Sequence, residues 1–369
     1  MNDLDIYNNN LKKNIIIKLR NTINENNFIF GKSVKKLELL LAKFTGSKFV
    51  ISVGSGTDAL MLSLISLNLK KGDEIIIPSF SWLSVIEVVL FLKLKPVFVD
   101  TNIIDFNLDV NHVKKLINSK TKVVISTSLF GRTCNLFELK KILPKRIKLI
   151  EDGAQNFGSI YKRKNSLNIA DISCTSFFPS KNLGSFGDGG AIFTNDRNIN
   201  KSLVQLRNHG QIKYSLTSMK PGLNSRLGSL QATILIEKLK KIKSKIISQI
   251  NLYKKYQNFF SKNKISGFPE IRSSSVIKDS YSSFNIIVKR REILIKYFKK
   301  YKIPYKIYYP KPLYNQYNLK KNIRFKNTEF LCKSIISLPF NDISEKRFSK
   351  VINSLKKIIQ NNKKIFFEK

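Results

Sequence analysis

Between Phe28 and about Leu239 the chain alternates short β-branched runs with stretches whose apolar residues recur at helical spacing. KFVISV, DEIIIP, KPVFVD, KVVIST, IKLIED and GGAIFTN are too short for helices and rich in Val and Ile, and Gly72, Pro78, Pro96 and Gly131 punctuate them. Parallel strands need long crossovers, so this alternation predicts an α/β unit: a mostly parallel sheet with helices on both faces. After the helix containing Gln231 to Leu239, the lysine-rich run KLKKIKSKIISQINLYKKYQNFFSK reads as one long helix leaving that unit. SYSSFNIIVK, PYKIYYPKP and SIISLPF then read as strands of a smaller α+β unit, and the expected division is 1–240 and 241–369.

Three segments of the first unit carry chemistry. KFVISVGSGTDALMLSLISL is a strand, a glycine turn and a helix, with Gly54, Ser55, Gly56 and Thr57 at the helix start. Free N–H groups and the helix dipole there make an anion cradle suited to a phosphate. In KLIEDGAQNFGSIY the apolar run ahead of Glu151 and Asp152 delivers a carboxylate at the C-terminal end of a buried strand. In SCTSFFPSKNLGSFGDGGAIFTND, Lys181 follows Cys174, Phe177, Phe178 and Pro179 and leads into Gly184, Gly187, Gly189 and Gly190. A lysine in so tight and dry a setting keeps part of its amine neutral, the form that condenses with a carbonyl. Phosphate cradle, acid and lysine match what pyridoxal phosphate requires: an anchored phosphate, a protonated ring nitrogen and an aldehyde held as a Schiff base. Asp152 also reads as an N-cap for AQNF, Trp82 as a core residue, and Cys174 as a small packing residue.

The formal net charge of +41 brings nucleic acid and anionic membranes into consideration. The charge is mostly lysine, spread along the whole chain with abundant Asn and Ile, as a compositional bias would place it. With no arginine-rich stripe, zinc-finger spacing or aromatic RNA-binding signature, no specific nucleic-acid partner is expected. The C-terminal LKKIIQNNKKIFFEK reads as an amphipathic helix bearing Leu355, Ile358, Ile359 and Phe366. Three cysteines without metal-ligand spacing and only two histidines, His112 and His209, give no expectation of a metal. Pro78, Glu87 and Lys93 interrupt the apolar stretch from Ile75 to Leu94, which reads as strand, loop and helix, with no membrane span. The N-terminal MNDLDIYNNNLKKN lacks a secretory signal's apolar core, so a cytoplasmic enzyme is expected.

Together the motifs resemble the sugar aminotransferases of the DegT/DnrJ/EryC1/StrS group, from about Phe28 to the segment around Tyr309 to Gln316. VISVGSGTDAL, IEDGAQNFGS, the lysine segment and GLNSRLGSLQATIL are similar above all to members that aminate UDP-2-acetamido-2-deoxy-3-oxo-glucuronate in building bacterial surface polysaccharides such as O-antigen. The resemblance implies the aspartate-aminotransferase fold (PLP fold type I), pyridoxal 5'-phosphate as cofactor, glutamate as donor and 2-oxoglutarate as its product. It makes Lys181 the Schiff-base lysine and proton shuttle, and Asp152 the partner of the pyridine nitrogen. Gln155 would bond the cofactor's phenolic oxygen, Gly56, Thr57 and Ser176 its phosphate, and Trp82 would stack on its ring. Asn224 would close the phosphate site of the neighbouring subunit in a homodimer. Arg226 would bind substrate carboxylates, and Tyr308 and Tyr309 the sugar.

Two departures bear on the substrate. Tyr308 stands where relatives often carry histidine and cannot become cationic at neutral pH. Ser128 occupies another position where many have histidine, although the members that aminate the 3-oxo-glucuronate also have serine there. A 4-aminotransferase of a nucleotide-linked 4-keto-6-deoxy sugar is the alternative within the group. A dehydratase relative would carry histidine in place of Lys181. Outside the group stand a dinucleotide-dependent oxidoreductase, from the GxGxxA match at Gly54 to Ala59, and a basic non-catalytic scaffold.

Overall fold

The computed structural model describes residues 9–212, 217–272, 276–317, 319, 323–340 and 343–368. Two helices, α1 (Asn9–Asn24) and α2 (Lys32–Thr45), lead into β1 (Phe49–Val53) and α3 (Gly56–Ser66). There follow β2 (Glu74–Pro78), α4 (Ser84–Phe91), β3 (Lys95–Val99), α5 (Val110–Leu116), β4 (Thr121–Thr127), α6 (Leu136–Ile142) and β5 (Lys148–Asp152). Short β6 (Ile160–Tyr161) and β7 (Lys164–Asn165) precede β8 (Ile172–Ser176), β9 (Gly190–Thr194), α7 (Arg197–Leu206) and α8 (Ser229–Leu239).

All six strands expected in this part form. They build a seven-stranded sheet in the order β1-β9-β8-β5-β4-β2-β3. Its seventh strand is β8, which the sequence presents only as the approach to Lys181. Pairings β3/β2, β2/β4, β4/β5 and β5/β8 are parallel, and β9 runs against both its neighbours. Strand alternation sends Ile75, Ile77, Val123 and Ile125 into a core under α3, α4 and α7, while Ile76 and Val124 face α5 and α6. Val34, Leu37 and Leu41 of α2 pack with Ala232 and Leu235 of α8 nearby. Burial on both faces is why these strands read as continuous apolar runs.

A second core gathers α9 (Ile242–Lys262), β10 (Ile265–Ser266), β12 (Phe284–Ile287) and α10 (Arg291–Lys300) with the C-terminal elements, while β11 (Ile277–Lys278) pairs with β6 and packs Ile277 against the core of α5 and α6. The C-terminal elements are β13 (Ile335–Leu338), α12 (Glu345–Asn362) and β14 (Phe367–Glu368), while α11 (Lys326–Ser334) buries Leu331 and Cys332 in a separate cluster with Phe80, Phe106 and Phe130 of the first unit. Tyr256, Phe260, Phe284, Phe298, Ile336, Leu355 and Ile358 lie at the centre of the second core. Three details correct the sequence reading. The lysine-rich run is not one helix: Lys238 and Leu239 close α8, and α9 begins after a turn at Lys240 and Lys241. PYKIYYPKP forms no strand and makes a single bridge, with Lys306 N–H donating to Ser337 O at 3.2 Å and Ser337 N–H returning at 2.8 Å. Pro304, Pro310 and Pro312 have no N–H to extend that ladder. Phe366 lies beyond α12, although it is buried like Leu355, Ile358 and Ile359.

The second core is welded to a turn of the first unit. Ser280 N–H donates to Gly131 O at 3.1 Å and Ser282 N–H to Phe130 O at 2.9 Å. Gly131 has φ +81°, and a Cβ there would sit 2.5 Å from Tyr281 N, so both geometry and space demand glycine. Beside it, Arg272 grips Asp279 with Nε at 2.9 Å and Nη2 at 2.7 Å, and the same carboxylate accepts Thr133 N–H at 3.0 Å. Asp279 is fully buried. Asp279→Asn, which leaves Arg272 under-compensated, is expected to lower unfolding free energy by about 3 kcal/mol in urea denaturation. An unchanged midpoint would show that the pair contributes nothing net.

Among the described residues no helix is long and apolar enough to cross a membrane.

Candidate active site

The C-terminal ends of β4, β5 and β8 meet on one edge of the sheet, where α/β proteins collect their chemistry. Asp152 ends β5 and is buried. Its Oδ1 accepts Ala154 N–H at 3.1 Å and its Oδ2 lies 3.5 Å from the Thr127 hydroxyl. Burial pushes its pKa up, while the Ala154 N–H, the Lys181 charge and Thr127 hold it down. No helix follows Asp152, so the capping role for AQNF falls away.

Lys181 lies on the turn joining β8 to β9. The turn folds back on itself through Lys181 N–H to Phe178 O at 2.9 Å, Ser185 N–H to Phe177 O at 2.7 Å and Phe177 N–H to Gly189 O at 2.7 Å. Burial lowers the pKa of the Lys181 amine and the Asp152 carboxylate opposes that shift. The structure therefore brings the expected acid and the expected lysine into one electrostatic neighbourhood, with the lysine poised to give up its proton.

The anion cradle forms as the glycine pattern requires. Ser55 caps α3 by accepting Asp58 N–H at 3.0 Å, and helix geometry leaves the N–H groups of Gly56 and Thr57 without intrahelical acceptors. A Cβ on Gly56 would lie 2.8 Å from Ser176 Cβ, and one on Gly190 would lie 2.9 Å from Gly56 N. Ser176 thus borders the cradle. Thr57 Oγ1 is 2.7 Å from Ser84 Oγ at the start of α4.

Trp82 is 54% exposed, so it is not a core residue, and its ring stands 6.2 Å from that of Tyr309. Tyr309 is buried, with Phe80 at 5.4 Å and Phe130 stacked at 6.4 Å. Gln155 accepts Phe130 N–H at 2.9 Å and donates from Nε2 to the Tyr309 hydroxyl at 3.0 Å, which leaves its second amide N–H for a further acceptor. Tyr308 is half-buried beside Phe130, its ring 6.4 Å away. Cys174 is buried against Ser63 at 3.2 Å, a packing residue as its sequence setting implies.

Sequence reasoning passed over Ser225. This buried residue accepts Gly54 N–H at 3.0 Å and donates to Asp58 Oδ2 at 2.7 Å, tying the GLNSRL loop to the start of α3 in the same chain. Its neighbours were the ones singled out: Asn224 is exposed, its backbone bridged to Asn208, and Arg226 Nη1 donates to Asn208 Oδ1 at 3.1 Å. Thr127 and the Phe130 N–H were missed as well. Only their position at and just after a strand end signals them.

The donor set fits pyridoxal phosphate: a helix N-terminus bordered by Ser176 for the phosphate, a dry carboxylate and a lysine of lowered pKa. It does not fit a dinucleotide site. The strand before the GxGxxA turn, β1, lies at the sheet edge beside antiparallel β9, whereas that fingerprint belongs to a central parallel strand.

Comparison with known proteins agrees. The model of the DegT/DnrJ/EryC1/StrS aminotransferase family matches residues 9–356. The chain is 36% identical over 308 residues to the UDP-2-acetamido-2-deoxy-3-oxo-D-glucuronate aminotransferase of Pseudomonas aeruginosa, covering 83% of this chain and 84% of that one. It is 31% identical over 357 residues to a dTDP-3-amino-3,6-dideoxy-alpha-D-galactopyranose transaminase of Aneurinibacillus thermoaerophilus, covering 96% and 97%. It superimposes with a TM-score of 0.89 at 25% identity on NtdA of Bacillus subtilis, solved with bound cofactor PMP, over 97% of this chain and 84% of that one. With the fold, the lysine and the acid in place, the chain belongs to the DegT/DnrJ/EryC1/StrS family of aminotransferases, enzymes of PLP fold type I that use pyridoxal phosphate.

Proposed function

We propose that this aminotransferase moves the amino group of glutamate to the C3 carbonyl of a nucleotide-linked keto sugar, UDP-2-acetamido-2-deoxy-3-oxo-glucuronate, in the cytoplasmic assembly of a bacterial surface polysaccharide such as O-antigen. The observation that carries the reading is the Lys181 and Asp152 pair, at the strand ends where Ser176 abuts Gly56 at the start of α3. Pyridoxal phosphate, when bound, supplies the aldehyde that takes the donor's amine and the ring that draws electrons from the reacting carbon. Gly56, Thr57 and Ser176 bind its phosphate. Asp152, whose charge the Ala154 N–H and Lys181 favour against the burial that raises its pKa, pairs with the ring nitrogen, and Trp82 covers a ring face. Lys181 Nζ, its pKa lowered by burial, removes the proton from the donor's α-carbon and gives one back on the other side of the transfer.

Arg226 suits the carboxylates that glutamate and a uronic sugar share, because a guanidinium binds carboxylate in a fork. Together with Asn224 it serves the neighbouring subunit of a homodimer. Exposed Ile16, Ile17 and Ile23 on α1, with Phe28 and Ile29 after it, supply an apolar surface for that dimer. Tyr308 and Tyr309 line the sugar side, with hydroxyls in place of a cation. Both named relatives carry the oxo or amino group at C3, which favours C3 over the C4 alternative.

Mass spectrometry of products from a panel of UDP-3-keto uronates and nucleotide-linked 4-keto-6-deoxy sugars, with glutamate as donor, tests this. The 3-keto uronate is expected to turn over at least roughly tenfold faster, the gap that one lost polar contact produces. Faster amination of the 4-keto sugars would reverse the assignment.

A further inference from the structure

A second buried carboxylate lies behind Asp152 and takes no part in the proposed chemistry. Glu151 precedes Asp152 on β5, so strand alternation turns it to the opposite face of the sheet. It is 0% exposed, and three donors converge on it. Ser128 Oγ at 2.8 Å and Asn156 Nδ2 at 2.9 Å share Oε1, and Ser173 Oγ reaches Oε2 at 3.1 Å. Ser128 also accepts Cys134 N–H at 3.2 Å, and its own N–H donates to Asp152 O at 3.0 Å.

One oxygen of Glu151 is therefore tied to two segments at once: the turn after β4 and the turn after β5. Those segments meet again on the active-site side, where Phe130 N–H bonds Gln155. Both then converge on Tyr309, Phe130 by ring stacking and Gln155 by its hydrogen bond, and Tyr309 stands against Trp82.

We infer that Glu151 is a positioning residue, which through Ser128 and Asn156 holds the Phe130 turn and Gln155 in register and so sets the placement of Tyr309 and Trp82. An apolar side chain here would strand three buried donors, each costing about 1–3 kcal/mol, and the turns would move to satisfy them. Burial pushes the Glu151 pKa up to about 7, opposed by its three hydrogen bonds and reinforced by the Asp152 charge. The carboxylic acid is thus accessible near neutrality, and it keeps an acceptor oxygen for Ser128 and Asn156, as a glutamine would.

The kinetic consequence rests on the transaminase reading; the structural one does not. The test compares Glu151→Gln, Glu151→Leu and Ser128→Ala in the full chain. Emission from Trp82, the single tryptophan, reads the site without added cofactor, and kcat and KM for glutamate read it with cofactor. Glu151→Leu and Ser128→Ala are expected to shift the emission and to lower kcat by roughly ten- to a hundredfold, with KM changed little. Glu151→Gln is expected to restore both to within about threefold of wild type, the span of a misplacement too small to matter. Ser128→Ala decides the matter if Glu151→Leu does not fold. A folded Ser128→Ala protein with wild-type emission and kcat overturns the inference, as does a Glu151→Gln protein as impaired as Glu151→Leu. Shifted emission in variants of a wild type that never transaminates would retire the transaminase reading and still support Glu151 as the positioning group.

Discussion

Replacing Lys181 with alanine is expected to abolish transamination, lowering kcat by about 10⁴-fold or more, while the protein still folds. On the proposed reading two roles vanish together: the amine that bonds the cofactor's aldehyde and the base that moves the α-proton. General acid–base catalysis alone contributes about 10²–10⁴-fold, and loss of covalent activation adds to it. The side chain is half-buried on a turn whose backbone bonds do not involve its amine, so stability should change little. Stopped-flow absorbance of the reaction with glutamate measures the rate. Loss of the visible band of lysine-bound cofactor reports the covalent role separately. Turnover and the visible band both surviving in Lys181→Ala would sink the assignment.

Asp152→Asn carries the second-largest effect. Asparagine can accept Ala154 N–H through its remaining oxygen and turn its Nδ2 to donate to the Thr127 hydroxyl, so the local geometry should hold. What disappears is the negative charge that, on the proposed reading, keeps the ring nitrogen protonated. Removing one such preorganised electrostatic partner lowers kcat by roughly 10²–10³-fold. Because that charge matters mainly as electrons flow into the ring, KM for glutamate should move far less than kcat. The charge is costly to keep in so dry a place, as its raised pKa shows, so the variant's thermal midpoint is expected to stay level or rise. A variant with normal kcat and a raised KM would show that Asp152 serves binding alone.

These two residues were the most legible in the sequence, because each stands at a place with its own local signal. Asp152 ends an apolar β-branched run, and Lys181 sits where small residues and glycines force a tight turn. The cradle at Gly56 was legible for the same reason. PYKIYYPKP misled because its aromatic and β-branched residues resemble a strand while its prolines remove the donors that a ladder needs. The helix break at Lys240 and Lys241 left no local mark, since lysine is a good helix former and nothing there caps or stops a helix.

The sequence by itself determined six of the seven strands of the first unit's sheet and the helices between them, and therefore an α/β unit with its chemistry at strand ends. Residue propensity, periodicity of apolar positions and the conformational freedom of glycine all act within a few neighbouring positions. Only the tertiary structure decided that β1 lies at the edge beside antiparallel β9, which excludes the dinucleotide site and brings Gly190 and Ser176 against Gly56. It alone set Ser225 on Asp58, 167 positions apart, Gln155 on Tyr309, 154 apart, and Ser128 on Glu151, 23 apart. Such contacts depend on strand order and on how the chain returns to the sheet. Many strand orders satisfy the same local pattern, and burial of the apolar faces selects among them only when the whole chain packs.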